Sequence, residues 1–261
     1  PLRLKRLTGK EQVTDMSREH TVKSFDEELL ALDNVIARMG GLAEAQFASA
    51  ITALARRDSE LATSVIASDA KVDGLQTEID QRALRALALR QPMANDLRTI
   101  VCTLRIAAEL ERIADYAANL AKRAIALNQT PAMPSVTTVA RMGELVRAMI
   151  KDVIDAYLER SVEKARDVWR RDTDVDAIYN SLFRELLTYM MEDPRNITPC
   201  THLLFIAKNI ERMGDHATNI AELVEFLVTG TRVGEERPKQ DRTAFAVVEP
   251  PAPGGGKTGS A

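Results

Sequence analysis

The sequence predicts an all-α protein built from two tandem, structurally similar three-helix bundles. The first observation behind this is an internal repeat: residues 104–121 recur at 204–221 with nine identical pairs at a constant offset of 100. The pairs are Leu104/Leu204, Ile106/Ile206, Ala107/Ala207, Glu111/Glu211, Arg112/Arg212, Asp115/Asp215, Ala117/Ala217, Asn119/Asn219 and Ala121/Ala221. A repeat of this size means two copies of one structural unit. The second observation is periodicity. Apolar residues return at spacings of three and four, and no segment sustains the period-two alternation of a half-buried strand. The third is composition: aromatics make up only 4% of the chain, while the helix formers Ala, Leu, Arg and Glu abound.

The elements follow in order. Residues 1–18 are expected to lie outside the folded repeats as a disordered N-terminal extension. The first fifteen or so are basic and polar (Arg3, Lys5, Arg6, Lys10), and Met16 is a candidate native start. The first repeat is assigned to residues 19–129. From His20 an amphipathic helix carries Phe25, Leu29, Leu32, Ile36 and Met39, with a kink or short break expected at Gly40-Gly41 before Leu42, Phe47, Ile51 and Leu54. Asp58 offers an N-cap for a second helix striped by Leu61, Val65, Val72, Leu75 and Ile79, which Gln91-Pro92 ends. A third helix, from about Met93 to Leu127, carries the first copy of the motif. The turn-rich segment Asn128-Gln129-Thr130-Pro131-Ala132-Met133-Pro134 separates the repeats.

The second repeat, residues 130–230, follows the same plan. One helix spans Val136–Glu159, and the next is capped near Ser161 and runs to about Met191. Asp193-Pro194 breaks the chain before the motif helix, which Gly230 closes. Short breaks between helices favour antiparallel neighbours, hence one three-helix bundle per repeat. Residues 231–261, rich in Pro and Gly, are expected to form a disordered tail.

Within the repeat, Glu111, Asp115 and Asn119 stand four apart and form one stripe along a helix, as do Glu211, Asp215 and Asn219. Paired carboxylates at that spacing repel by a few tenths of a kcal/mol in an isolated helix, so a positive partner is expected opposite them. One source is local: Arg112 and Arg212 precede the aspartates by three residues and would neutralise them on a solvated face. The middle helix of each half has its own pair, Asp69 with Asp73 and Asp172 with Asp176, at an offset of 103. If middle and motif helices face each other, four carboxylates converge in each repeat. Such a set suits a hard cation with oxygen ligands, such as magnesium, manganese, calcium or iron. Zinc would call for Cys or His, and the Glu-x-x-His signature of ferritin-like di-iron sites is missing. His216 follows Asp215, but adjacent helical residues point about 100° apart, which leaves it outside the stripe.

The remaining chemistry is sparse. The net charge of −3 and a pI near 5.8 provide no basic footprint for nucleic acid. Cys102 and Cys200 lie outside any metal-like spacing, which favours a reduced, cytosolic protein. No apolar run reaches membrane-spanning length and no signal-peptide pattern is present, so a soluble protein is expected. Three scattered histidines and no Gly-x-Ser-x-Gly elbow argue against a nucleophilic triad. Gly256-Lys257-Thr258 imitates the end of a phosphate-binding loop, but Pro251 stands where the earlier glycine belongs. His202 and Trp169 read as packing residues.

Two helical repeats, each carrying Glu-Arg-x-x-Asp-x-x-x-Asn, resemble the PhoU family of bacterial accessory regulators of phosphate-specific transport. The second copy, from Asn209 to Glu222, is very close to the family pattern, as is the opening from His20 to Leu29. The resemblance covers about residues 19–230. The first copy departs from the second with Tyr116 and Ala118 where His216 and Thr218 stand. The resemblance implies multinuclear metal clusters, with Asp69, Asp73, Glu111 and Asp115, then Asp172, Asp176, Glu211 and Asp215, as ligands. It implies iron, manganese, magnesium or another hard ion as the metal, with Asn119, Asn219, Arg112 and Arg212 in support. It further implies a cytoplasmic homodimer that is not an enzyme, binds no nucleic acid and meets the membrane only through partners. Those partners are the ATPase subunit of the phosphate ABC transporter and the sensor histidine kinase of the phosphate regulon, and the implied role is to restrain uptake and hold the regulon off. The competing readings are a carboxylate-bridged metalloenzyme and a metal-free helical adaptor whose stripes only form ion pairs.

Overall fold

The computed structural model describes residues 9–231 and Thr243, with side-chain surroundings from Phe25 onward. Six long helices follow one another: α1 (Gly9–Arg56), α2 (Ser59–Arg90), α3 (Ala94–Leu127), α4 (Val136–Glu159), α5 (Val162–Glu192) and α6 (Ile197–Thr229). A 3-10 turn, Pro194–Asn196, leads into α6, and the described residues contain no strand. None of the described helices is long and apolar enough to cross a membrane. Helices α1–α3 form the first bundle and α4–α6 the second; α1 packs on α4 and α3 on α6 to join them.

Local chemistry sets the helix ends. The Asp58 carboxylate accepts from the Leu61 N–H at 2.9 Å, and the Ser161 hydroxyl oxygen accepts from the Lys164 N–H at 3.3 Å, each satisfying an otherwise orphaned donor of a first turn. The residues just before these caps, Arg57 and Arg160, both turn the chain in the left-handed region, at φ 56° and 54°. Gly230, at φ 75°, ends α6 with its N–H donating to Phe226 O at 2.9 Å, the role for which glycine has no Cβ penalty.

Two expectations are corrected in α1. The helix begins at Gly9 rather than His20, so residues 9–18 are helical. The stretch contains Lys10, Glu11, Gln12 and Arg18, good helix formers, with no proline to stop it. Nor do Gly40-Gly41 break the helix, because both sit inside one continuous helical segment. Residues 1–8 and the tail beyond Thr231, Thr243 apart, lie outside the described residues, and so does the disorder expected of them.

The reason for Gly40 is packing. A Cβ there would run into the Ile154 side chain of α4, while a Cβ at Gly143 would come 2.5 Å from Ile51 Cδ1 of α1. Gly143 is Gly40 shifted by 103 residues, and Ile154 is Ile51 shifted by the same 103. The contact is therefore reciprocal: α1 and α4 cross antiparallel about a pseudo-two-fold axis, each offering a glycine to the other's isoleucine. Glu44 and Arg147, again related by that offset, form an ion pair of 3.0 Å across the crossing. At the end of the crossing the Arg160 guanidinium grips both oxygens of Asp33 at 2.8 and 3.0 Å, and the Tyr157 hydroxyl reaches Asp33 Oδ1 at 2.5 Å.

The crossing of α3 and α6 is antiparallel too. Arg98, near the start of α3, donates to Leu227 O near the end of α6 at 3.1 Å, and Arg123 stacks over the Phe205 ring at 4.1 Å. The buried apolar residues of all six helices join into one cluster, which includes Phe47, Ile106 and Leu110 of the first bundle and Met142, Met149 and Ile210 of the second. The tandem repeats thus share a single core. We predict that Gly143→Val destabilises the protein by roughly 1–3 kcal/mol, the usual cost of overpacking. Urea unfolding should register the loss, and Ile51→Val in the same chain should recover part of it by removing Cδ1.

Candidate metal-binding site

The first acidic set is built from α2 and α3. Asp69 and Asp73 lie one turn apart on α2, Glu111 and Asp115 one turn apart on α3; Asp69 and Glu111 are half-buried, Asp73 and Asp115 exposed. Electrostatics show that these four form one group. Burial, then the charges of Asp69 and Asp115, push the Asp73 carboxyl above its usual range. Glu111 is likewise pushed up, by burial first and then by Asp115, with smaller contributions from Asp73 and Asp69 that Arg112 partly offsets. The four carboxylates on the facing α2 and α3 thus lie near enough to repel one another.

A residue that the sequence did not single out fixes one corner of this set. Gln46 of α1, 5% exposed, donates from Nε2 to Asp69 Oδ1 at 3.1 Å, and the same nitrogen lies 3.4 Å from Val65 O and from Ala114 O. Its counterpart in the second half is Met149, so no repeat signal marked it.

The second set, on α5 and α6, is drier. Asp172 and Asp176 are each 4% exposed and Glu211 is 5% exposed, while Asp215 is half-buried. The close approach of α6 explains part of this: a Cβ on Gly214 would meet Asp172 Oδ1 at 3.4 Å, and the first copy has Ala114 at that point. Lys208, whose ammonium lies 2.9 Å from Glu211 Oε2 and 5.1 Å from the centre of the Tyr179 ring, supplies a positive charge that the first copy lacks, since Ala108 replaces it.

The expected supporting residues go to several places. Arg112 comes within 3.9 Å of Glu111 rather than Asp115, and exposed Asn119 accepts from Lys122 at 3.5 Å. Arg212 reaches across to α3, donating to the Tyr116 hydroxyl at 3.4 Å. Asn219 also reaches α3, donating to Glu109 Oε2 at 3.1 Å, where His216 Nδ1 lies 2.6 Å away. Tyr116 and His216 stack with ring centres 5.6 Å apart. Tyr116 and His216, which stand at one of the positions where the two motif copies differ, thus meet each other between the bundles. Burial raises the Glu109 carboxyl, but hydrogen bonds from His216 and Asn219 outweigh it and hold the group below its usual range. Glu109 was invisible in the sequence, because its counterpart Asn209 breaks the repeat and only the antiparallel crossing brings it to His216.

The donor set fits a hard cation: both groups are carboxylates on two facing helices, and in the first set repulsion makes a positive ion welcome. Among the described residues no three Asp, Glu, His or Cys side chains close on one point at ligating distance. A coordination shell at these positions therefore requires carboxylate rotation, for which exposed Asp73 and Asp115 have room.

Two copies of a three-helix unit, each with acidic residues on its second and third helices and a shared core between them, define a tandem-repeat helical protein. The chain belongs to the PhoU family: the PhoU domain matches it twice, over residues 36–124 and 139–224. It is 54% identical over 224 residues to the phosphate-specific transport system accessory protein PhoU homolog of Caulobacter vibrioides strain NA1000 / CB15N, across 85% of this chain and 97% of that relative. With the protein of the same description from Rhizobium meliloti strain 1021 it shares 51% over 230 residues, 88% of this chain and 97% of the relative. Among solved structures, PhoU from Pseudomonas aeruginosa matches at a TM-score of 0.77 and 40% identity, covering 79% of this chain and 100% of that one. The phosphate transport system regulatory protein PhoU from Streptococcus pneumoniae matches at 0.74 and 30%, covering 80% and 99%.

The acidic set predicts a pH signature for metal-free protein. The folded-state pKa values of Asp73 and Glu111 are raised. Their contribution to stability is therefore present below the unfolded carboxyl range and lost as pH rises through the folded values. Asp73→Asn with Glu111→Gln should raise the urea midpoint at neutral pH and leave it nearly unchanged at about pH 4. Solvent screening keeps the gain within about 1 kcal/mol. Glu109→Gln should act oppositely, because a depressed carboxyl stabilises above its unfolded pKa and loses that stabilisation as pH falls.

Proposed function

We propose that this chain is a non-enzymatic accessory regulator of phosphate-specific transport. It restrains phosphate uptake by docking on the ATPase subunit of the phosphate ABC transporter. It passes transporter state to the sensor histidine kinase of the phosphate regulon, so that the regulon stays off while phosphate is plentiful. It acts in the cytoplasm as a homodimer and meets the membrane through those partners. The observation that carries this reading is the 54% identity, over 97% of its length, to a relative described as a phosphate-specific transport system accessory protein. Surface chemistry supports docking as the mode of action: Leu89, Met93, Leu97 and Val101 are exposed at the end of α2 and the start of α3, apolar surface of the kind a partner covers.

The acidic sets belong to the same proposal. Asp69, Asp73, Glu111 and Asp115 would hold one hard metal site, and Asp172, Asp176, Glu211 and Asp215 another. A bound cation would cancel carboxylate repulsion and tie the second helix of each repeat to the third. Gln46 orients Asp69 for this, and Lys208 stands beside Glu211 as a charge that a cation would replace.

Elemental analysis of protein purified without chelator should find iron, manganese, magnesium or another hard metal, and much less after Glu111→Ala with Asp115→Ala. Equal content in the variant would remove the metal assignment. Deleting the gene should leave a phosphate-regulon reporter on at high phosphate. Glu211→Lys with Asp215→Lys, first shown helical by circular dichroism, should behave like the deletion. A normally repressed reporter in both strains would favour the enzyme or adaptor reading.

A further inference from the structure

The pseudo-two-fold axis allows the outer face of each bundle to be compared with its own counterpart, and the two faces differ in one place. Between α4 and α5 the Arg171 guanidinium fills the interhelical groove, 2.7 Å from Asp152 Oδ2 and 3.1 Å from Asp167 Oδ2. Shifted back by 103 residues, Arg171, Asp152 and Asp167 correspond to Ser68, Ser49 and Ser64. All three members of the plug have become serine. The groove between α1 and α2 is accordingly open, with a volume of about 300 Å³, and these three serines line it together with Gln46 and Lys71.

The charge of the groove is reversed as well. Its wall in the first bundle contains Lys71 and no carboxylate, whereas the counterpart of Lys71 is Asp174, so the second bundle has three acids and one base at these positions. Hydroxyl groups and one ammonium facing a concavity are the donors an oxyanion needs. Ser64 and Ser68 turn their hydroxyls to carbonyls of their own helix, at 2.7 Å each, and rotation about one bond redirects them. Gln46 forms the inner wall, 5% exposed, with Nε2 held by Asp69 and the carbonyls described above. Its Oε1 is buried without a hydrogen-bond partner. A buried acceptor in that state costs free energy until a donor reaches it. Inorganic phosphate at neutral pH keeps a P–OH that donates, whereas sulfate has only acceptors.

We propose that the α1–α2 groove of the first repeat binds inorganic phosphate. Ser49, Ser64, Ser68 and Lys71 donate to its oxygens, and Gln46 Oε1, covered in the empty groove, accepts from its P–OH once the wall of the groove shifts to expose it. The choice of phosphate rests on the regulatory reading above; the vacated plug and its charge reversal do not. Gln46 then connects two sites through one amide, since its Nε2 holds Asp69 of the acidic set. An occupant that engages Oε1 restrains the carboxylate on the other side.

The test is calorimetric titration of the full chain with sodium phosphate in a phosphate-free buffer, with sulfate in parallel. One saturable site per chain is expected, with sulfate weaker by about tenfold, the effect of one missing hydrogen bond to a buried group. Ser49→Asp with Ser64→Asp and Ser68→Arg transplants the second repeat's own plug and should abolish binding while circular dichroism remains helical. Lys71→Gln, an exposed change that does not threaten the fold, should weaken phosphate by about tenfold. No saturation, equal affinity for sulfate, or undiminished binding in both variants overturns the assignment. The reporter experiment separates the two proposals. Regulation without phosphate binding defeats this inference alone, and phosphate binding with a reporter indifferent to deletion defeats the regulatory reading alone.

Discussion

The reciprocal insertion of Ile51 against Gly143 and of Ile154 against Gly40 is the constraint on which the rest of the molecule depends. Two long helices approach this closely only where one side chain is missing at the point of contact. Because the same pair occurs twice, α1 and α4 must cross antiparallel and in a single register. That register sets the level at which Glu44 meets Arg147 and Asp33 meets Tyr157 and Arg160. With α1 and α4 fixed, α3 and α6 have to run antiparallel on the same core, which brings the two motif copies to one crossing.

The two halves differ on this common frame in burial and charge. The first acidic set is wetter, and burial first, then mutual repulsion, raises the Asp73 and Glu111 carboxyls. The second is nearly dry, with Lys208 beside Glu211 and Gly214 admitting Asp172 against the backbone of α6. The same divergence occurs on the outer face, where an Arg–Asp network closes one groove and serines leave the other open. Burial and charge have moved while the helices have not, as expected when a core shared by both repeats resists change and the surface does not.

Between the bundles, Glu109, His216, Asn219, Tyr116 and Arg212 form a polar contact that neither repeat possesses alone. Glu109, Tyr116 and His216 come from positions where the copies disagree, and Arg212 and Asn219 from positions where they agree. Divergence in the motif has here been used to join the halves, because a pseudo-symmetric crossing brings unlike residues face to face wherever the repeat is broken. The low pKa of Glu109 marks how firmly this contact holds a carboxylate charge in a half-buried place.

The sequence by itself determined the helical class, the duplication, most helix ends and the identity of the acidic residues. Each of these is local: a 3.6-residue period, a cap such as Asp58 or Gly230, or residues four apart on one stripe. The break allowed for at Gly40-Gly41 does not occur: propensity alone reads glycine as a break, whereas at Gly40 a helix from the other repeat occupies the space a side chain would take. Gln46 and Glu109 stayed hidden for a related reason. Nothing within a turn or two of either residue foretells its partner; Gln46 meets Asp69 and Glu109 meets His216 only after helices far apart in the chain have packed. Which carboxylates repel, which groove is open and which arginine fills the other groove are decided by distances between helices, and those exist only in the tertiary structure.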